Sequence, residues 1–110
     1  MDVADEDQRQ PLIWAANNGA AEACLALVSA GALVNASDKD GLTALHCAAT
    51  RGHSACLVTL IQECQATIDV EDLNQCTALF YAATFGYVSC CQILVDHGAN
   101  INHTDRKKRT

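Results

Sequence analysis

Three times along the chain a short run of small and apolar residues stops at a glycine, and a second apolar run follows at once. The first runs are PLIWAANNG (11–19), ALHCAATRG (44–52) and ALFYAATFG (78–86). In the second runs apolar side chains recur at helical spacing, as Ala23, Cys24, Leu27 and Val28 do, which makes one stripe on a 3.6-residue period. The pattern predicts a helical hairpin in each copy, with a first helix of eight or nine residues and a second of about ten. Isolated helices shorter than about 12–15 residues are marginal in water. Each hairpin therefore has to bury its apolar face on the next copy.

The copies keep register. Leu12, Leu45 and Leu79 correspond, at steps of 33 and 34 residues, and so do the doublets Ala15-Ala16, Ala48-Ala49 and Ala82-Ala83 and the glycines Gly19, Gly52 and Gly86. Asp38, Asp72 and Asp105 open successive units. The Ala doublets let first helices stack at short distance, and a stack of repeats that contact only their neighbours is a solenoid.

A unit of about 33 residues made of a turn and two short helices resembles the ankyrin repeat. The matching residues in the middle copy are Asp38, Gly41, Thr43, Leu45, His46, Ala48, Ala49, Gly52 and His53. The first copy adds Gly31, Ala32 and Asn35, and the third adds Gly98, Ala99 and Asn102. The resemblance implies an all-α ankyrin-repeat solenoid with protruding β-hairpin or turn fingers. Its expected parts are an acidic tail over 1–8, repeats over 9–37, 38–71 and 72–104, and the opening of a fourth unit over 105–110.

Thr43 stands where a helix N-cap belongs, with His46 three positions on, so the imidazole can reach back as in a capping box. The other copies depart from this. Ile13 and Phe80 take the His position, and Ala44 and Ala78 stand where the family favours proline, so those starts should be less well capped. The stretch QECQATID has one residue more than its counterparts, near 62–66, and lacks their glycine. Without a glycine for the left-handed C-cap, that helix end should run longer or be distorted.

Composition narrows the function classes. A chain of 110 residues supports one modest core, burying about 65% of the surface its unfolded form exposes. The terminal RKKR (106–109) holds four of the seven Lys and Arg, which leaves three basic against thirteen acidic residues, a net of about −10 for the rest. Nucleic acid is an unsuitable partner for such a body. The run AAEACLALVSAGALV (20–34) contains Glu22 and Ser29 and is too short to span a membrane, and the acidic N-terminus is not a signal peptide.

Seven cysteines is an odd number, without a C-x-x-C or H-x-x-x-H spacing. That argues against a disulfide framework or a structural zinc site and for a reducing compartment, the cytoplasm first and the nucleus second. Asn35-Ala36-Ser37 and Asn102-His103-Thr104 match the short glycosylation pattern, the one feature on the side of secretion. Cys24, Cys56, Cys90 and Cys91 fall on the buried pair of positions of the second helices, where Cys packs as a small hydrophobe. No cofactor, metal or catalytic set is expected.

Function in such a solenoid has to come from surface positions, because the repeated residues are occupied with packing. The resemblance places Trp14, Cys47 and Tyr81 on the concave face of the first helices, extended by Asn18, Arg51 and Phe85. Aromatic residues and Arg are enriched at binding hot spots. The fingers add Lys39, Asp40, Leu42, Leu73 and Asn74, whose acidic tips favour a basic partner. Leu25 and Val58 are apolar where the family often carries charge. The resemblance also implies hydroxylation of Asn35 and Asn102, each eight residues after a leucine.

Three readings follow. The first is a non-catalytic interaction module, a scaffold or adaptor segment that binds a protein or peptide through groove and fingers. The second is a passive stretch of a longer array, since DRKKRT carries Asp105 and Thr110 at the Asp and Thr positions of a further repeat. The third is a thiol enzyme using Cys47 and His46, which helical geometry opposes because adjacent side chains point about 100° apart.

Overall fold

A computed structural model describes residues 10–102. The acidic tail, the RKKR stretch and the opening of the fourth unit lie outside the described residues. Six helices follow in order: α1 (Pro11–Asn17), α2 (Ala21–Ser29), α3 (Ala44–Thr50), α4 (Ser54–Gln62), α5 (Ala78–Thr84) and α6 (Val88–Asp96). Each first helix pairs with its own second helix. α3 packs between α1 and α5, and α4 between α2 and α6. The result is a two-layer stack of 38 × 27 × 19 Å.

The core runs along both rows. Leu12, Ile13, Ala16, Leu45, Ala48, Ala49 and Ala82 fill the first-helix row, and Cys24, Cys56, Leu57, Leu60, Cys90 and Leu94 the second. The alanines allow close stacking, because at Ala16, Ala48, Ala49 and Ala82 only a methyl group is buried in this row. Cys24, Cys56 and Cys90 are buried as expected, whereas Cys91 is half-buried. It occupies the position of Cys24 and Leu57, which turns toward the following second helix, and among the described residues none follows α6.

The helix starts differ, and α3 is fully capped although Ala44 stands in the place of proline, which corrects the expectation for that start. Thr43 accepts from the His46 backbone N–H, and the Thr43 N–H donates to His46 Nδ1 at 3.1 Å, so α3 has a full capping box. Thr77 caps α5 from one side, accepting from the Phe80 N–H at 3.3 Å. α1 has no side-chain cap, and Pro11 at its start removes one N–H that would lack a partner.

The fingers are tight turns. Asp38 Oδ1 accepts from the N–H groups of Asp40 and Leu42, and Asp72 Oδ1 from those of Asn74 and Cys76. Both aspartates are buried, and one carboxylate oxygen of each holds the turn it begins. One antiparallel bridge, Ser37 with Thr43, is the extended pairing found among the described residues.

The extra residue after α4 distorts the exit without lengthening the helix. α4 has nine residues, as α2 and α6 do. The closing bond shifts instead: Ala32 N–H reaches the Leu27 carbonyl and Ala99 the Leu94 carbonyl, but Ala66 reaches back one residue further, to Leu60. Gln65 takes the left-handed conformation, φ 59°, that Gly31 and Gly98 take in the other copies.

Candidate functional site

The first-helix row presents the candidate groove. Trp14 is 43% exposed and Phe85 56% exposed, and Asn18 and Arg51 are exposed beside them. Cys47 does not join them. It is 4% exposed, which corrects the expectation that it lines the groove. α3 is flanked on both sides, by helices that carry Trp and Tyr at the same position, and a one-sulfur side chain between two such neighbours stays below the surface.

Tyr81 is half-buried and acts partly as a strut. Its hydroxyl donates to Asp72 Oδ2, and its ring meets His46 edge-on at 6.0 Å and Phe80 at 5.8 Å. Burial first, and then the Asp72 carboxylate, push the phenol pKa upward. Asp72 thus ties its finger to α5, and the exposed edge of Tyr81 is what remains for contact.

His46 and Cys47 cannot work as a base and a nucleophile. The His46 Nδ1 accepts from the Thr43 N–H, so Nε2 carries the proton, which it donates to the Cys76 carbonyl at 2.9 Å. Both ring nitrogens are engaged in structure. Burial holds the imidazole pKa below its ordinary value, which agrees with a neutral ring.

In the fingers Lys39, Asp40, Leu73 and Asn74 are exposed, Leu73 by 61%, while Leu42 is half-buried and contributes less surface than its tip position suggests. The fingers touch each other: the Leu73 N–H donates to the Asp40 carbonyl at 3.0 Å. Gly41 permits that approach, since a Cβ there would lie 2.8 Å from the Leu73 nitrogen. On the outer side Leu25 is exposed and Val58 half-buried.

The sequence reading missed Tyr87 and Val88. Tyr87 stacks at a tilt beside Phe85, with centroids 6.3 Å apart, and Val88 is 77% exposed. Tyr87 takes the position of His53 in the glycine-histidine pair, so its register marked it as scaffold. Its exposed part, with Phe85 and Val88, extends the apolar surface at the end of the row.

Asn35 has a structural task. Its side chain donates to Thr67 Oγ1 and accepts from the Thr67 N–H, both at 3.0 Å, which pins the first repeat to the second. Asn102 is exposed, and its N–H donates to Asn100 Oδ1.

Open clefts of about 550 Å³, near Pro11, Leu27 and Leu33, and of about 270 Å³, near Leu79, Val95 and Ile101, lie at the two ends of the stack. Among the described residues no group of three or more His, Cys, Asp or Glu is arranged to hold a metal ion. No described helix is long and apolar enough to cross a membrane.

The family model described as ankyrin repeats, in three copies, matches residues 12–105. A search of curated proteins finds no match.

Proposed function

The chain belongs to the ankyrin-repeat family, and we propose that it grips a protein or peptide segment along Trp14, Asn18, Arg51, Tyr81 and Phe85. Ankyrin repeats are generally protein-protein interaction modules and typically non-catalytic. The observation that carries the proposal is the exposure of Trp14 and Phe85 on one row of helices that otherwise stack through alanines. Large aromatics are costly to leave in water and are the commonest anchors of binding energy. Lys39, Asp40, Leu73 and Asn74 supply a second line of contact from the finger tips. The chain's formal charge of −6 favours a basic partner.

A photo-crosslinking amino acid placed at position 14 or 85 tests this. The proposal expects the same partner to be caught from both positions and not from position 25 on the outer side.

The end clefts support a second reading, in which further repeats of a longer chain stack against Leu33 at one end and Val95 at the other. Binding residues would then be shared with those repeats. The odd number of cysteines, seven, and their lack of a C-x-x-C spacing support a reducing compartment, the cytoplasm or the nucleus. Hydroxylation of Asn35 and Asn102 belongs to the same proposal, and at Asn35 it requires the two bonds to Thr67 to open. Peptide mass spectrometry of protein purified from cells reads both sites.

A further inference from the structure

We propose that Cys24 and Cys56 are a latent disulfide site, at which a peroxide joins the first hairpin covalently to the second. The two sulfurs, one on α2 and one on α4, are 3.4 Å apart, and both residues are buried. A disulfide holds its sulfurs about 2.05 Å apart, so closing this pair takes a shift of roughly 1.4 Å.

Register produces the contact. Cys56 and Cys90 are the third residues of α4 and α6, and both are buried, while Ala23, the third residue of α2, is exposed. That position faces the preceding hairpin. Cys24 and Leu57 are the fourth residues of α2 and α4 and are buried, while Cys91 on α6 is half-buried. That position faces the following hairpin. The first joint therefore sets a fourth-position sulfur against a third-position sulfur. The second joint has Leu57 and Cys90 at the same places, and Cys90 lies 3.9 Å from Ser54 Oγ instead.

The contact also prepares the chemistry. The Cys56 S–H steadies a thiolate on Cys24 and lowers the Cys24 pKa, while the same contact, and then burial, push Cys56 up. One thiolate forms at a time, which is what attack on an oxidant needs. With hydrogen peroxide, the Cys24 sulfur bonds to one oxygen and the O–O bond breaks. The other oxygen leaves as water with the Cys24 proton, and Cys24 becomes a sulfenic acid. The Cys56 sulfur then attacks the Cys24 sulfur, and the hydroxyl leaves as water with the Cys56 proton. Two thiols and one peroxide give one disulfide and two waters, the sulfurs losing the two electrons that the peroxide gains.

Access comes from local opening of α2, whose residues Ala23, Leu25 and Ala26 already face solvent. The bond would enclose α3 and the Asp38 finger in a covalent loop and restrain the unfolded chain.

The test is to oxidise the folded, purified chain with hydrogen peroxide, block remaining thiols and map peptides without reduction. The expected result is a Cys24–Cys56 linked peptide and a thermal midpoint raised by about 5 °C or more, both reversed by dithiothreitol. Cys24→Val and Cys56→Val, which keep the apolar contact, should each abolish the linked peptide and the shift. Oxidation that leaves Cys24 and Cys56 unlinked in the folded chain, a link that forms only in denaturant, or a link that does not raise the midpoint would overturn the proposal.

Discussion

The imidazole of His53 occupies the space that a side chain at Gly19 would need. A Cβ on Gly19 would lie 2.6 Å from His53 Nδ1, and φ at Gly19 is +71°. His53 Nε2 meanwhile donates to the Asn17 carbonyl at 2.9 Å, closing the end of α1 from the next repeat. One glycine thus serves two repeats, ending a helix in its own and seating a side chain of the following one.

Gly19→Ala should therefore be among the most damaging single methyl additions. Left-handed strain costs about 1–2 kcal/mol, and losing the His53 bond adds about 1 kcal/mol. Gly86 has a similar φ of +77° with nothing within 4 Å of the added atom, so Gly86→Ala should cost the strain alone. Urea unfolding of both variants checks the difference; equal losses would remove His53 from the account.

Gln65→Gly should act in the opposite direction. Gln65 pays left-handed strain where the other copies have glycine, and relieving it outweighs the entropy cost of glycine by about 0.5–1 kcal/mol. A raised thermal midpoint is the expected reading. No gain would mean that the extra residue after α4 has already relaxed the turn.

Acid should loosen the middle repeat through His46. Its folded pKa lies below the ordinary 6.5 because burial disfavours the charged ring. The unfolded chain thus binds the proton more readily, and stability present above pH 6.5 is lost as pH falls from there toward the folded pKa. Gln at the same capping position can still reach back to the Thr43 N–H but does not titrate. His46→Gln should flatten the fall in urea midpoint between about pH 7.5 and 5.5 relative to the parent chain. An unchanged slope would assign the acid sensitivity to other groups.

Much of the scaffold was legible because it depends on local rules. Periodicity placed the six helices, and Thr43 with His46 announced the capping box that the structure contains. The acidic residues that open each unit were legible as markers, though not as the carboxylates that hold the turns. What could not be read were outcomes set by neighbouring helices. Cys47 is hidden because of what stands on either side of it, and Cys91 is half-buried because no second helix follows α6 among the described residues. Tyr87 does what its register implies, its ring lying where a side chain at Gly52 would go, and it also shares a surface with Phe85. The exit of α4 followed its missing glycine in kind, but whether the helix would extend or bend depended on Gln65 accepting a positive φ.

The most direct measurement is quantitative capture from cell extract with three baits: the parent chain, a Trp14→Ala and Phe85→Ala double variant, and a Leu25→Ala variant on the outer side. All three should fold, since each side chain removed is exposed. The account predicts that at least one partner is held equally by the parent and the Leu25 variant and is lost, about tenfold or more, with the double variant. Equal capture of every partner by all three baits would contradict it.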